Sequence, residues 1–237
     1  MIEFHTYPTP NTWKVGIMLE ECGLPYQVRL IDITKGDQFE AGFLTISPNN
    51  RVPAIVDRDS PEGVRTIFES GAILLYLAEK TGRFLAADGP ARTAALEWLF
   101  WQVGGLGPMA GQAHHFMRYA PEGNDYAVDR YRKECARLYG VLDRRLAAAD
   151  WLAGADYGVA DMASWGWVYY HHMHGQSLHD FTAVRRWFDA MAERPAVAAA
   201  KLIGTETFDS SRRAALADPF YQGDVRAGTA ASLVKDR

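Results

Sequence analysis

Over the first eighty or so positions, apolar residues alternate between strand-like and helix-like spacing, and past Arg83 the strand signals vanish. Ile2 to Tyr7 is a short β-prone run ending at Pro8-Thr9-Pro10. Trp13, Ile17, Met18 and Leu24 then fall near helical spacing, with Glu20-Glu21 outward and Gly23 as a stop signal. Tyr26, Val28 and Leu30 alternate with Gln27 and Arg29, a strand pattern. Phe39, Phe43 and Leu44 suit a short helix, Val52 to Val56 and Val64 to Phe68 read as two strands joined by a charged turn, and Ser70 to Glu79 is helical with Gly82 beyond its end. The order β-α-β-α-β-β-α predicts a small mixed sheet with helices on its faces.

Four longer helical patterns follow, at Thr93–Met117, Tyr126–Ala149, Val159–His172 and Val184–Glu193, each with Leu, Tyr or Trp on a recurring face. A linker with Gly and Pro lies around Ala86–Pro90. The expected organisation is an α/β domain over 1–85, an all-helical domain over 91–203, and a polar tail over 204–237 that wraps the surface or is partly disordered.

Composition narrows the class. At 48% hydrophobic and 23% charged the chain is of ordinary globular type, and its formal net charge of -4 gives no basic excess for nucleic acid. Leu96 to Met117 is rich in Trp, Phe, Leu and Gly, but Glu97, Gln102, Pro108, Gln112, His114 and His115 interrupt it, so a buried helix is expected rather than a membrane span. The start Met1-Ile2-Glu3-Phe4-His5 lacks a secretory pattern, and two distant cysteines, Cys22 and Cys135, suit a reducing compartment. A cytoplasmic protein is the expectation. His114-His115 and His171-His172-Met173-His174 are without the cysteines or carboxylates that would complete a ligand set, so no metal is expected.

Three segments carry a family resemblance: Pro8-Thr9-Pro10-Asn11, Ser47-Pro48-Asn49-Asn50-Arg51-Val52-Pro53-Ala54-Ile55-Val56, and Phe68-Glu69-Ser70-Gly71-Ala72-Ile73-Leu74 with Tyr76-Leu77. They resemble the glutathione-site motifs of cytosolic glutathione transferases. The block Trp98-Leu99-Phe100-Trp101-Gln102-Val103-Gly104-Gly105-Leu106-Gly107-Pro108-Met109 is similar to the bacterial Nu-type branch, glutathione-dependent disulfide-bond oxidoreductases. The resemblance spans roughly residues 1–203. It implies a thioredoxin-like N-terminal domain, an all-α C-terminal domain and a homodimer. It also implies bound glutathione, one or two molecules per site, as cosubstrate.

Residue by residue, the resemblance places a cis proline at Val52-Pro53, where main-chain groups would pair with the cysteinyl backbone of glutathione as an added strand. On its own, Val-Pro is a turn. Ser70 is a good helix cap, and the helix start it marks favours an anion such as the γ-glutamyl carboxylate; Glu69 would pair with the γ-glutamyl ammonium. Gln38 would reach the glycyl end. Where a thioredoxin relative holds C-x-x-C, this chain reads Thr9-Pro10-Asn11-Thr12, so the thiol must come from the ligand. A thiol of ordinary pKa near ~8.5 is mostly protonated at neutral pH. Hydrogen bonds from Asn11 or Thr9, with Tyr7 as a rival, would favour the thiolate. Arg130 would offer positive charge to a second carboxylate.

Gly158 stands where the family has a capping Ser or Thr, a loss of only a few tenths of a kcal/mol on cap scales, with Asp161 still able to reach back to the exposed amide. The expected activity is glutathione-dependent disulfide reduction. Conjugation of glutathione to a small electrophile uses the same thiolate, and a non-catalytic interaction module would need a damaged glutathione site.

Overall fold

The computed structural model describes residues 1–206, 208, 210 and 213; most of the expected tail over 204–237 lies outside the described residues. Two compact units emerge, one formed by 1–83 with the described residues from 193, the other by 84–192.

The first unit is a four-stranded sheet with helices. Strands β1 (Ile2–Thr6), β2 (Tyr26–Leu30), β3 (Ala54–Asp57) and β4 (Arg65–Phe68) lie in the order β2-β1-β3-β4. The β1–β2 pair is parallel, with Phe4 opposite Val28, while β3 runs antiparallel to both β1 and β4. This is the small mixed sheet expected from the alternating pattern, in the thioredoxin-like arrangement that the family resemblance implies. Helix α1 (Pro10–Cys22) begins with Pro at N1, where the missing N–H costs nothing, and ends at Gly23 in the left-handed conformation. Its residues Thr12 to Leu19 are buried without a break, because α1 packs against both α3 (Ser70–Thr81) and α9 (Pro195–Leu202). A short α2 (Ala41–Leu44) precedes β3.

Helix α9 is the main departure in organisation. The sequence reading groups 91–203 together, whereas α9 packs on α1 within the first unit. The close approach is possible because Gly16 lacks a side chain: a Cβ there would meet Ile203 Cδ1 at 3.1 Å and Ala200 Cβ at 3.2 Å.

The second unit is all-helical: α4 (Gly89–Trp101), α5 (Gly107–Arg118), α6 (Asp125–Ala148), α7 (Val159–Val168) and α8 (Thr182–Ala192). The expected single helix over 93–117 is divided by a π-helical turn at Gln102–Leu106. Gly107 follows it, and a Cβ there would sit 2.8 Å from Gln102 Nε2 and 3.2 Å from Gln102 O. On α6, Cys135, Leu138, Tyr139, Leu142 and Leu146 form one buried stripe at helical spacing. The expected helix over 159–172 ends at Val168, and the His171–His174 run is a 3-10 turn. No described helix is long and apolar enough to cross a membrane.

The start of α7 explains Gly158. Asp161 accepts from the Gly158 N–H at 3.1 Å, from the Leu152 N–H at 3.0 Å and from Trp187 Nε1 at 2.8 Å, so the capping carboxylate reaches back as the sequence suggests. The glycine itself has a packing cause that cap scales miss. A Cβ on Gly158 would lie 2.7 Å from the main-chain oxygen of Phe84, which accepts from the Val159 N–H at 3.1 Å. Gly158→Ser, favourable by capping preference, is therefore expected to destabilise the protein by about 2 kcal/mol through overpacking against backbone. Urea unfolding of the two proteins checks this, and a variant as stable as the parent would show that the Phe84 main chain yields freely.

Candidate glutathione site

The first unit holds an open cavity of about 240 Å³ lined by Asn11, Ser47, Asn49, Arg51, Val52, Pro53, Phe68, Glu69 and Ser70. Five of the residues singled out in the sequence thus meet on one surface. Asn11 arrives at the second position of α1, just past the Thr9 cap. The Val52–Pro53 bond is cis, and β3 begins directly after it. Among the described residues, no hydrogen bond engages the Val52 main chain, which leaves an N–H and a C=O for an extended ligand.

Glu69 and Ser70 are placed by the junction of β4 and α3. Glu69, not Ser70 as the sequence suggests, takes the N-cap position of α3, without a side-chain capping bond and with φ 68° and ψ 116°, a conformation that side-chain-bearing residues rarely adopt; Ser70 is the first helical residue. Backbone of this kind costs on the order of 1–3 kcal/mol and collects at ligand clamps. Its carboxylate accepts from Asn49 Nδ2 at 3.3 Å. The carbonyl of Glu69 accepts from the Ile73 N–H, while the N–H groups of the first turn, beginning with Ser70, are the unspent donors of a helix start. An anion seated there meets those donors and the favourable end of the helix dipole.

Two residues expected at the ligand are placed elsewhere. Thr9 does not line the cavity. Its hydroxyl accepts from the Thr12 N–H at 3.4 Å while Thr12 Oγ1 accepts from the Thr9 N–H at 3.0 Å, a reciprocal cap of α1. Gln38 also stands outside the lining. It is only 8% exposed, within a 3-10 turn at Asp37–Phe39, and its amide nitrogen meets the Ile33 carbonyl at 3.5 Å. The rival Tyr7 is buried at the end of the first-strand region and is likewise no part of the lining.

The sequence reading assigned no role to Arg51, Asn49 or Lys14. Arg51 is an exposed cation on the cavity wall, and the Ser47 hydroxyl donates to its carbonyl at 2.9 Å, fixing the turn that presents it. The signal was present in the segment Ser47–Val56, whose polar half turns out to face the cavity together with Val52-Pro53.

In the second unit, Arg130 lines a separate cavity of about 720 Å³ with Met109, Tyr126, Asp129, Tyr131, Lys133, Glu134 and Arg137. Its cationic neighbours are paired: Arg132 and Lys133 with Asp129, Arg137 with Glu134. Arg130 makes no such pair among the described residues. Tyr126 beside it is 80% exposed.

Neither cysteine is a thiolate in waiting. Burial pushes the Cys135 thiol up to about 12 and raises that of Cys22, and both are free. The histidines likewise have structural surroundings. His171 Nδ1 lies 2.9 Å from the Gln176 carbonyl, and the buried ring of His174 packs 5.9 Å from that of His114. Among the described residues, no three or more His, Cys, Asp or Glu side chains form a group able to hold a metal ion.

Residues 9–80 match the model for the glutathione S-transferase N-terminal domain, and residues 106–195 match that for the C-terminal domain. The disulfide-bond oxidoreductase YfcG of Escherichia coli K12 is 48% identical over 215 residues, covering 89% of this chain and all of that protein. A glutathione transferase family member from Pseudomonas fluorescens, solved with two glutathione molecules bound, superimposes with a TM-score of 0.80 at 39% identity, covering 84% of this chain and 92% of that one. A glutathione transferase from Pseudomonas putida, solved with one glutathione disulfide per subunit, gives 0.81 at 40% identity, covering 85% and 91%.

Proposed function

The chain belongs to the glutathione S-transferase family, and on that premise we propose that it reduces disulfides with bound glutathione. One observation carries the reading: a single cavity joins Asn11, the cis Val52–Pro53 edge and the Glu69–Ser70 helix start, while the turn that holds cysteines in a thioredoxin has none. In this reading the unit formed by 1–83 is the glutathione-binding domain. Val52 pairs with the cysteinyl backbone, Glu69 takes the γ-glutamyl ammonium, and Ser70 with the first-turn amides takes its carboxylate. Arg51 serves the glycyl end. Asn11 donates to the sulfur and favours its thiolate form, helped by the dipole of α1. Thr9 holds the turn on which Asn11 rides.

Glutathione supplies the attacking thiolate: two molecules reduce one disulfide to two thiols and leave as glutathione disulfide, so electrons and protons balance without a protein cysteine. Arg130, whose charge also acts on Glu134, lines the second unit's own cavity and is given no part in this step. The disulfide-bond oxidoreductase YfcG and the relative crystallised with glutathione disulfide support disulfide exchange over conjugation. We further infer a homodimer, on the support of Phe100, 62% exposed beside the exposed Gly104 and Pro108. Two free, unpaired thiols fit a cytoplasmic setting.

The test compares turnover of 2-hydroxyethyl disulfide with conjugation of 1-chloro-2,4-dinitrobenzene, both with glutathione. Disulfide turnover is expected to exceed conjugation by at least about a hundredfold in kcat/KM, a difference of roughly 2.7 kcal/mol in transition-state stabilisation. Dominant conjugation would assign the protein to the transferases proper.

A further inference from the structure

Lys14 is buried in the wall behind the cavity. It is only 2% exposed, because it falls within the unbroken buried stretch Thr12–Leu19 of α1, and a lysine so enclosed is uncommon without a partner that uses its charge. Its Nζ lies 3.3 Å from Ser70 Oγ, across 56 positions of sequence. An ammonium can only donate, so in this contact the Ser70 oxygen is the acceptor and the hydroxyl proton is left to point elsewhere. Ser70 lines the cavity at the start of α3, where the first-turn N–H groups also lie. Burial brings the Lys14 pKa down to about 7, against the pull of Glu69. A carboxylate arriving nearby would favour its charged form.

We propose that Lys14 is a positioning residue of the γ-glutamyl subsite: it fixes the Ser70 hydroxyl as a donor toward the cavity and adds a buried positive charge that holds the ligand's α-carboxylate at the start of α3. The inference rests on the glutathione reading above and extends it to a residue that does not line the cavity. It makes affinity depend on one functional group of the ligand. A residue that only supports the fold would affect all ligands of the cavity alike.

Calorimetric titration distinguishes the two. The probes are glutathione and an analogue in which 4-aminobutanoate replaces the γ-glutamyl residue, removing only the α-carboxylate. Lys14→Met is expected to weaken glutathione about tenfold or more, the loss of a charge-assisted hydrogen bond, and to leave the affinity for the analogue within about twofold. Lys14→Gln, which keeps a donor for Ser70 but no charge, provides a second variant should the first fail to fold, and its effect is also expected to be selective for glutathione. Equal losses for both ligands, or no loss for glutathione in a folded variant, would overturn the role of Lys14 while leaving the glutathione reading intact. Failure of the parent protein to bind glutathione would overturn both.

Discussion

Alanine in place of Asn11 is expected to lower kcat for disulfide reduction about a hundredfold while leaving glutathione affinity near that of the parent. Asn11 sits on the cavity wall at the second position of α1, and its amide is the side-chain donor in the lining that belongs to the turn replacing the thioredoxin cysteines. In the proposed binding mode other groups hold the peptide portion of the ligand, so losing this donor should act on the sulfur alone. The pKa of bound glutathione, followed by thiolate absorbance against pH, should rise in the variant, because a hydrogen bond to the charged form has been lost. Thr9→Ala makes the contrast. The Thr9 hydroxyl caps α1, so about 1 kcal/mol of stability should go while the thiolate pKa stays in place. A rate unchanged in Asn11→Ala would pass the sulfur contact to another group.

Glu69→Gly should split stability from function in the opposite sense. Glu69 holds φ 68°, a conformation that glycine adopts freely and other residues adopt only at a cost. Relief of that cost should stabilise the protein by about 1 kcal/mol. In the proposed binding mode, loss of the carboxylate removes the partner of the γ-glutamyl ammonium, a charged hydrogen bond whose loss corresponds to a Kd increase of roughly ten- to hundredfold. Thermal unfolding and glutathione titration on the same sample check both halves. A variant that binds as tightly as the parent would remove Glu69 from the site, and one that is less stable would show that the conformation is not costly here.

Much of this was legible in the sequence because it rests on local chemistry. Strand alternation around Tyr26–Leu30, Pro at the start of α1, and glycines past the ends of α1 and α3 are signals that neighbouring residues create for one another. Val52-Pro53, Glu69-Ser70 and Asn11 could be singled out through their motif company, and they converge on one cavity. What escaped depends on distant partners. Lys14 is an ordinary polar residue in a helical pattern until α3 and α9 cover α1 from two directions. The last helix, α9, is short and rich in alanine, and its place is set by the missing side chain of Gly16 on another element. Gly158 reads as a weak cap until the Phe84 carbonyl is seen where its Cβ would be. Thr9 and Gln38 have side chains equally suited to ligand and backbone, and in the structure each bonds the local main chain instead.

The central claim is that the reacting thiol belongs to the ligand and not to the protein. The most direct measurement is steady-state reduction of 2-hydroxyethyl disulfide by glutathione, comparing the parent with the doubly substituted Cys22→Ser, Cys135→Ser protein. Both thiols are raised by burial, and neither lines the glutathione cavity. The expected result is glutathione-dependent turnover of the cysteine-free protein within about twofold of the parent, since substitutions remote from a site leave its chemistry nearly unchanged. Loss of turnover in a folded, glutathione-binding variant would contradict the claim and place a protein thiol in the reaction.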